Sequence, residues 1–444
     1  SKAFLTFRFK YNRLIQITNN TFGEVGIFEA PVIGVEDAIL AASEDAMIED
    51  GRDQVLSNIG IELQPFFIKS GDVRFRVVYQ VGISKKNPSR YLQYSVSAGD
   101  GSVVQILDGN LSAVVTGEIL PRLATDEVVT VGMPFLNISN RQGKDQTDAN
   151  GEFSMDPSGA MGELFGAAVR LFVDGKTTPK ASANDVGDIH FMASSSLDEN
   201  NAYYHVTRIN QFVQQFIQHK FLKTPIRVNT RVTNGPIKHC NAWYAPLSKD
   251  LNFLSAGTTA EGTSCESTAR IADVVYHEWG HALDDALGGI HDGAFSEAIG
   301  DISSFLQTGD SRLAPTFFKG SEKPIRDVSV LKVFPKDRNR NPHAEGLIVG
   351  GAWWDFYSAM KTKYGADEGK MKTASIFYRH LVSTDTYMDS YQGALVTDDD
   401  DGDLSNCTPH MCLMNDAFVR HGLAQKDDRC GTKTCGSSTL YSED

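Results

Sequence analysis

The pentapeptide His277-Glu278-Trp279-Gly280-His281 sets two imidazoles one helical turn apart, with a carboxylate between them. Residues four apart on a helix differ by about 40° around its axis, so both rings project from one face toward a common point. Glu278 stands a residue further round, able to reach a water held at that point without being a ligand itself. This is the pattern of a zinc site with a built-in general base. In a chain with 11 histidines, chance would produce it about 0.01–0.02 times. A catalytic zinc takes three protein ligands and keeps a fourth position open. Glu297, in Ser296-Glu297-Ala298-Ile299-Gly300-Asp301, completes the set. Asp301, one turn later, falls on the same helical face, where it could accept the outer N–H of a ligating imidazole and fix its tautomer.

Two helices must carry these groups. Ile271, Val274, Val275, Ala282 and Leu283 form the apolar stripe of the first, and Thr263–Thr268 is rich in N-cap residues for its start. Gly288-Gly289 turns the chain toward the second. Two carboxylates and two imidazoles in segments otherwise this apolar would be costly to bury unless they held a cation.

These segments resemble the gluzincin metalloendopeptidases, the thermolysin and fungalysin clan. Asp273-Val274-Val275-Tyr276-His277-Glu278 through Asp285, then Glu297 to Asp301, are similar to the two zinc helices of thermolysin. Asn241-Ala242-Trp243-Tyr244 resembles the edge strand whose backbone and asparagine hold the substrate peptide, which makes Asn241 and Ala242 substrate-binding residues. Ile325-Arg326-Asp327 resembles the segment whose arginine, here Arg326, binds the carbonyl after the scissile bond. His343-Ala344-Glu345-Gly346, with Gly350-Gly351-Ala352-Trp353-Trp354, is similar to the segment of the fungalysin histidine that stabilises the oxyanion. Asn201–His205 resembles the tyrosine-rich helix near the start of these catalytic domains, so the likeness spans roughly residues 185–425. Where thermolysin has an oxyanion-assisting tyrosine between the zinc helices, this chain offers His291, as an oxyanion donor, a regulatory ligand or a loop histidine. Of the thermolysin calcium cluster, Asp273 alone is represented.

The expected fold class is α+β multidomain. Residues 1–112 carry a helix over Ala38–Ala46, then alternating strands through Val73–Val81 and Leu92–Val96, with turns at Lys85–Ser89 and Ala98–Gly101. This region resembles the inhibitory propeptide of the same precursors, an intramolecular partner that would make the chain a zymogen. Residues 113–182, with strands around the Asp148-Ala149-Asn150-Gly151 turn, resemble the transthyretin-like β-sandwich modules of secreted peptidases. The expected catalytic domain, 183–425, has a mixed β lobe and a mainly helical lobe with the zinc site in the cleft, followed by a Cys-containing tail, 426–444. Asn415–Gly422 reads as a closing helix with Gly422 just past its end. Before it, Asp398–Asp403 is the densest acidic run. Asp399, Asp401 and Asp403 are candidate calcium ligands there, although the EF-hand spacing and its terminal glutamate are missing.

The chain's net charge of −14 argues against nucleic acid or anionic membranes as partners. No apolar run approaches a transmembrane span, and residues 1–20 do not read as a signal peptide, so an exported form would already have lost its signal. Proximity in the sequence suggests disulfides Cys240–Cys265, Cys407–Cys412 and Cys430–Cys435, which suit an oxidising compartment. The expectation is a monomeric, secreted, periplasmic or cell-surface zinc endopeptidase acting on peptides and proteins. The alternative is a catalytically silent binding scaffold, but a structural zinc site has no use for Glu278. An aminopeptidase of the same clan would need an acidic signature for the substrate's amino terminus, and none lies upstream of His277.

Overall fold

The computed structural model describes residues 5–10, 13–19, 31–49, 53–67, 73–86, 89–109, 113–141, 143–155, 157, 159–184, 187–233, 237–259, 261–430 and 435. It is a mixed α/β structure that divides into two units, residues 1–113 with 156–158, and residues 114–155 with 159–444.

In the first unit, strands Gln54–Phe67, Val73–Lys86, Ser89–Ser97 and Val103–Gly109 form an antiparallel meander in chain order. Alternation puts Val77, Tyr79, Val81 and Ile83 on one face, beside Leu92, Tyr94 and Val96 of the next strand. Helix α1, Val35–Asp45, covers that face through Ala38, Ala42 and Ala46, whose small side chains let it lie close. The helix starts before the expected Ala38 because Glu36 and Asp37 suit a first turn. Tyr94 Oη donates to Asp45 at 3.0 Å, tying its other end to the sheet. The central residues of the expected Lys85–Ser89 turn, 87 and 88, lie outside the described residues.

The second unit has a sheet whose main path runs Lys144–Gln146, Leu136–Ser139, Met161–Gly166, Val169–Val173, Ile226–Thr230, Asp250–Phe253 and Ala242–Ala245. The strands of 113–182, expected as a sandwich of their own, pair largely with one another, but two of them also pair with strands later in the chain. Val169–Val173 pairs in parallel with Ile226–Thr230, and Ala113–Ile119 pairs in parallel with Ile189–Phe191. Val169, Leu171 and Val228 are fully buried, as central strands are. A parallel pair needs a crossover, and α2, Ala193–Val213, lies in the connection between Val173 and Ile226. The expected Asp148–Gly151 turn is present: Asp148 Oδ1 accepts from the N–H groups of Asn150 and Glu152, and Gly151 supplies φ 86°.

The helical part comprises α3, Ala272–Leu287; α4, Gly293–Thr308; α5, Pro342–Tyr364; α6, Ala366–His380; α7, Ser390–Asp398; and α8, Met411–Arg420. Two glycines set the spacing of α3 and α4. A Cβ on Gly280 would lie 2.7 Å from the Gly300 backbone, and one on Gly300 would lie 2.4 Å from His277 Nδ1. Helix α8 begins four residues before the expected Asn415, where Asp398 accepts from Thr408 Oγ1 and from the N–H of His410. Among the described residues, no helix is long and apolar enough to cross a membrane.

The first disulfide is the expected Cys240–Cys265. The other four cysteines pair differently, Cys407 with Cys435 and Cys412 with Cys430, rather than Cys407 with Cys412 and Cys430 with Cys435. Asn415 on α8 donates to the Gln425 carbonyl and accepts from the Asp427 N–H, folding the returning chain against the helix that holds Cys412. Neighbours in sequence are thereby separated, and cysteines on facing segments meet.

Candidate metal centre

Helix α3 begins at Ala272 without a side-chain cap. The hydroxyls expected to cap it bind elsewhere: Ser267 Oγ donates to Asp198 and Thr268 Oγ1 to the Asn241 carbonyl. What anchors the first turn is Asp273, fully buried and gripped by Arg122, whose Nε and Nη2 each lie 2.9 Å from a carboxylate oxygen. One and two turns further on, His277 and His281 turn their Nε2 atoms to within 3.1 Å of each other.

Helix α4 is capped by Asp292, whose side chain accepts from the N–H groups of Ala294 and Phe295. It brings Glu297 to the same point, with Oε2 3.4 Å from His277 Nε2 and Oε1 3.6 Å from His281 Nε2. His277, His281 and Glu297 can each direct one ligand atom to a shared position. Their other atoms are already committed. His277 Nδ1 lies 2.8 Å from Asp301 Oδ1, and His281 Nδ1 lies 2.9 Å from Ser296 Oγ. Glu297 Oε2, by contrast, is buried with no hydrogen-bond partner, although Arg326 Nη2 lies 3.6 Å away. A buried carboxylate oxygen without a hydrogen bond is costly, and an ion at the shared position would satisfy it more directly than a guanidinium at that distance. The donor set of two imidazoles and one carboxylate fits zinc.

Burial and neighbouring charge act differently on the three groups. Burial opposes a charge on His277, yet the Asp301 and Glu297 carboxylates outweigh it and raise its pKa to about 10. Burial, then the charge on His277, pushes His281 down to about 3. Burial also opposes the Glu297 carboxylate, but the neighbouring histidines hold it at about 2. Glu278 is outside the ligand cluster, and its burial raises it to about 7.

Two cavities meet at this centre. The larger, about 570 Å³, is walled by Val274, Leu313, Phe317, Phe318 and Ile325, and is also lined by Asn241, Ala242, Arg326 and His343. The smaller, about 420 Å³, adds Trp243, Tyr244, Ile290 and Pro342. Glu278 and His277 line both. Among the described residues, Ala242–Ala245 is the terminal strand of its sheet, so an edge borders the cleft. Tyr244 Oη donates to Asp285 at 2.6 Å and pins that edge to α3. Cys240–Cys265 fastens the chain two residues before that strand to the segment that bridges Phe318.

The remaining candidates divide. His343, largely exposed near the start of α5, places Nε2 3.3 Å from Glu297 Oε1. Arg326 lines the larger cavity, but its fork is occupied: Nε lies 2.9 Å from Asp301 Oδ2 and Nη2 2.8 Å from Oδ1. His291 lines neither cavity, and its Nε2 lies 3.1 Å from the Gly288 carbonyl. Asp399, Asp401 and Asp403 each accept from the N–H two residues ahead. Sequence reasoning had not singled out Ser296, Tyr244 or the Gly280–Gly300 contact. Ser296 adjoins Glu297, but its partner appears only when α3 and α4 pack together.

Neither a family model nor a curated protein matches the chain. Among solved structures, the chain is similar to the precursor of protealysin, a metalloproteinase from Serratia proteamaculans, at 14% identity and a TM-score of 0.42, covering 51% of this chain and 79% of that one. A likeness this slight decides nothing about function, which rests on the side chains themselves.

Proposed function

We propose that this chain is a zinc-dependent endopeptidase. The observation that carries the proposal is the buried, unbonded Glu297 Oε2 converging with the Nε2 atoms of His277 and His281 beside a second buried carboxylate, Glu278. His277, His281 and Glu297 would hold the ion, and zinc bound there supplies Lewis acidity toward a substrate carbonyl and toward water. Glu278, with its basicity raised to about 7 by burial, takes the attacking water's proton near neutral pH and passes it to the leaving amine. The edge strand Ala242–Ala245 and Asn241 align an extended peptide by main-chain pairing. His343, with Nε2 3.3 Å from Glu297 Oε1, is assigned to donate to the oxygen that gains charge as water adds. Arg326 acts chiefly through Asp301, holding the carboxylate that orients His277. The three disulfides suit an extracellular protein, and the first unit is read as a propeptide-like module of the same chain.

The test is hydrolysis of casein or quenched peptides by the full chain, with and without a chelator, alongside Glu278→Gln. Activity should vanish with the chelator, return with zinc, and fall about 10²–10⁴-fold in the variant. A variant as active as the wild type overturns the mechanism. Zinc binding without any hydrolysis would indicate the silent scaffold.

A further inference from the structure

The larger cavity takes part of its lining from two distant stretches of chain: Asn241 and Ala242 at the start of the edge strand, and Phe317 and Phe318 beyond α4. Each stretch has a tie of its own. The strand pairs with Asp250–Phe253, and Thr268 Oγ1 donates to the Asn241 carbonyl at 3.1 Å. Ahead of Phe317, the Ala314 N–H donates to Asp273 on α3 at 2.8 Å. Between the two stretches stands the hairpin Gly257–Thr258 with Ser264–Cys265, whose strands have two residues each, too short to be stable by pairing alone. Cys265, fully buried, bridges Phe318, and on either side the Glu266 N–H donates to the Phe317 carbonyl and the Lys319 N–H to the Ser264 carbonyl, both at 2.9 Å. Its sulfur is bonded to Cys240, which itself lines the cavity. Cys240 has φ 61°, a left-handed conformation unfavourable for a residue with a Cβ, and the crosslink helps to hold the chain in it where it enters the edge strand.

We infer that Cys240–Cys265 is a specificity-determining link of this cleft: by tying the edge strand, through Cys265, to Phe317 and Phe318, it sets how far apart those walls stand and so how strongly a large apolar substrate side chain is chosen over a small one. A side chain gains most from an apolar pocket when the walls close on it without gaps, because each void forfeits contacts on one side. The hairpin alone cannot fix that spacing, and the disulfide makes it covalent. His277, His281, Glu297 and Glu278 all lie on α3 and α4, outside the linked segments, so the link acts on how substrate is held rather than on the metal centre.

The inference rests on the endopeptidase reading, and the experiment separates the two. Quenched peptides that differ only in carrying Ala, Leu or Phe beside the scissile bond, on each side in turn, are cleaved by the full chain as wild type, Cys240→Ala/Cys265→Ala, Lys319→Pro and the three changes combined. Lys319 is exposed and lines neither cavity; proline there removes the N–H that pairs with Ser264, and an ion pair with Glu266, without touching a cysteine or a cavity side chain. For the peptide that wild type cleaves best, KM should rise about tenfold in each variant while kcat stays within about threefold, the mark of lost substrate binding. The preference for its side chain over Ala should shrink by about the same factor, since close-fitting pockets discriminate by about 10–200-fold per methylene. The combined variant should be no worse than the cysteine pair, and zinc affinity in chelator competition should not change. A merely structural role would lower kcat and zinc binding as well, or weaken all three peptides alike. If a thermal melt shows the cysteine pair unfolded, Lys319→Pro decides alone. Wild type that cleaves none of the peptides overturns the endopeptidase reading and this inference together. Wild type that cleaves them while the variants keep its KM and its order of preference, or lose activity equally on Ala, Leu and Phe, overturns the inference alone.

Discussion

Among the described residues, two places in the second unit gather acidic or imidazole groups closely enough to hold an ion: His277, His281 and Glu297, and Asp399, Asp400 and Asp401. The second has the denser charge, yet the first is the better site. In the acidic run the carboxylates are occupied by their own turns. Asp401 accepts from the Asp403 N–H at 2.9 Å and from Asn406 Nδ2 at 2.6 Å, with water free to reach both. Between α3 and α4 the groups are largely buried, their outer atoms are matched, and one carboxylate oxygen has no hydrogen bond. Buried donors with nothing left to bind mark a metal site more clearly than the number of carboxylates does.

Glu297→Ala is the strongest way to break that contrast. It removes one of three ligands, so zinc affinity in chelator competition should fall by more than about 100-fold, since loss of even an outer partner costs about 10–100-fold. Peptide hydrolysis should fall with it. Asp399→Asn/Asp401→Asn/Asp403→Asn should leave both within about twofold. Equal losses from the two sets would show that charge density, not burial, was the better guide.

The parts of this site legible in the sequence are those that depend on local geometry. The i, i+4 spacing of His277 and His281 places both rings on one face wherever that helix packs, and Glu297 with Asp301 follows the same rule on the next helix. What escaped depends on packing between segments distant in sequence. Arg326 was expected to face substrate and does line the larger cavity, but nothing local to Ile325-Arg326-Asp327 reveals that Asp301 also engages its guanidinium. The C-terminal disulfides failed for the same reason, since proximity along the chain says nothing about which segments return to face each other. The strand Val169–Val173 was not read from the sequence, and neither was its parallel partner, Ile226–Thr230, which lies beyond a helix.

The contrast sharpens among the histidines. His205 and His380 are more deeply buried than His277 and His281, but both ring nitrogens of each face protein atoms. His205 lies against Tyr276 Oη and the Leu120 carbonyl, His380 against the Phe377 carbonyl and Ser390 Oγ. Burial lowers each to about 4. A base whose folded pKa is depressed is charged first in the unfolded chain, so stability is complete above the ordinary 6.5 and drains as pH falls toward 4. Each could cost about 3 kcal/mol across that window. Denaturant unfolding of the metal-free protein should therefore weaken steeply between those pH values, and His205→Gln should flatten the slope. A slope unchanged in the variant would remove His205 from that set.

Asp401→Asn tests the other side of the contrast and should have the smallest effect. Asparagine keeps one acceptor for the Asp403 N–H and loses only the contact with Asn406, an exposed hydrogen bond worth about 1 kcal/mol. It also removes one charge from a run of like charges, which offsets part of that loss. The melting temperature should shift by no more than a few degrees, in either direction, and by the same amount with millimolar calcium present or absent. A calcium-dependent rise that the variant abolishes would reverse the comparison, because it would mean that carboxylates already serving their own turns can still be recruited by an ion.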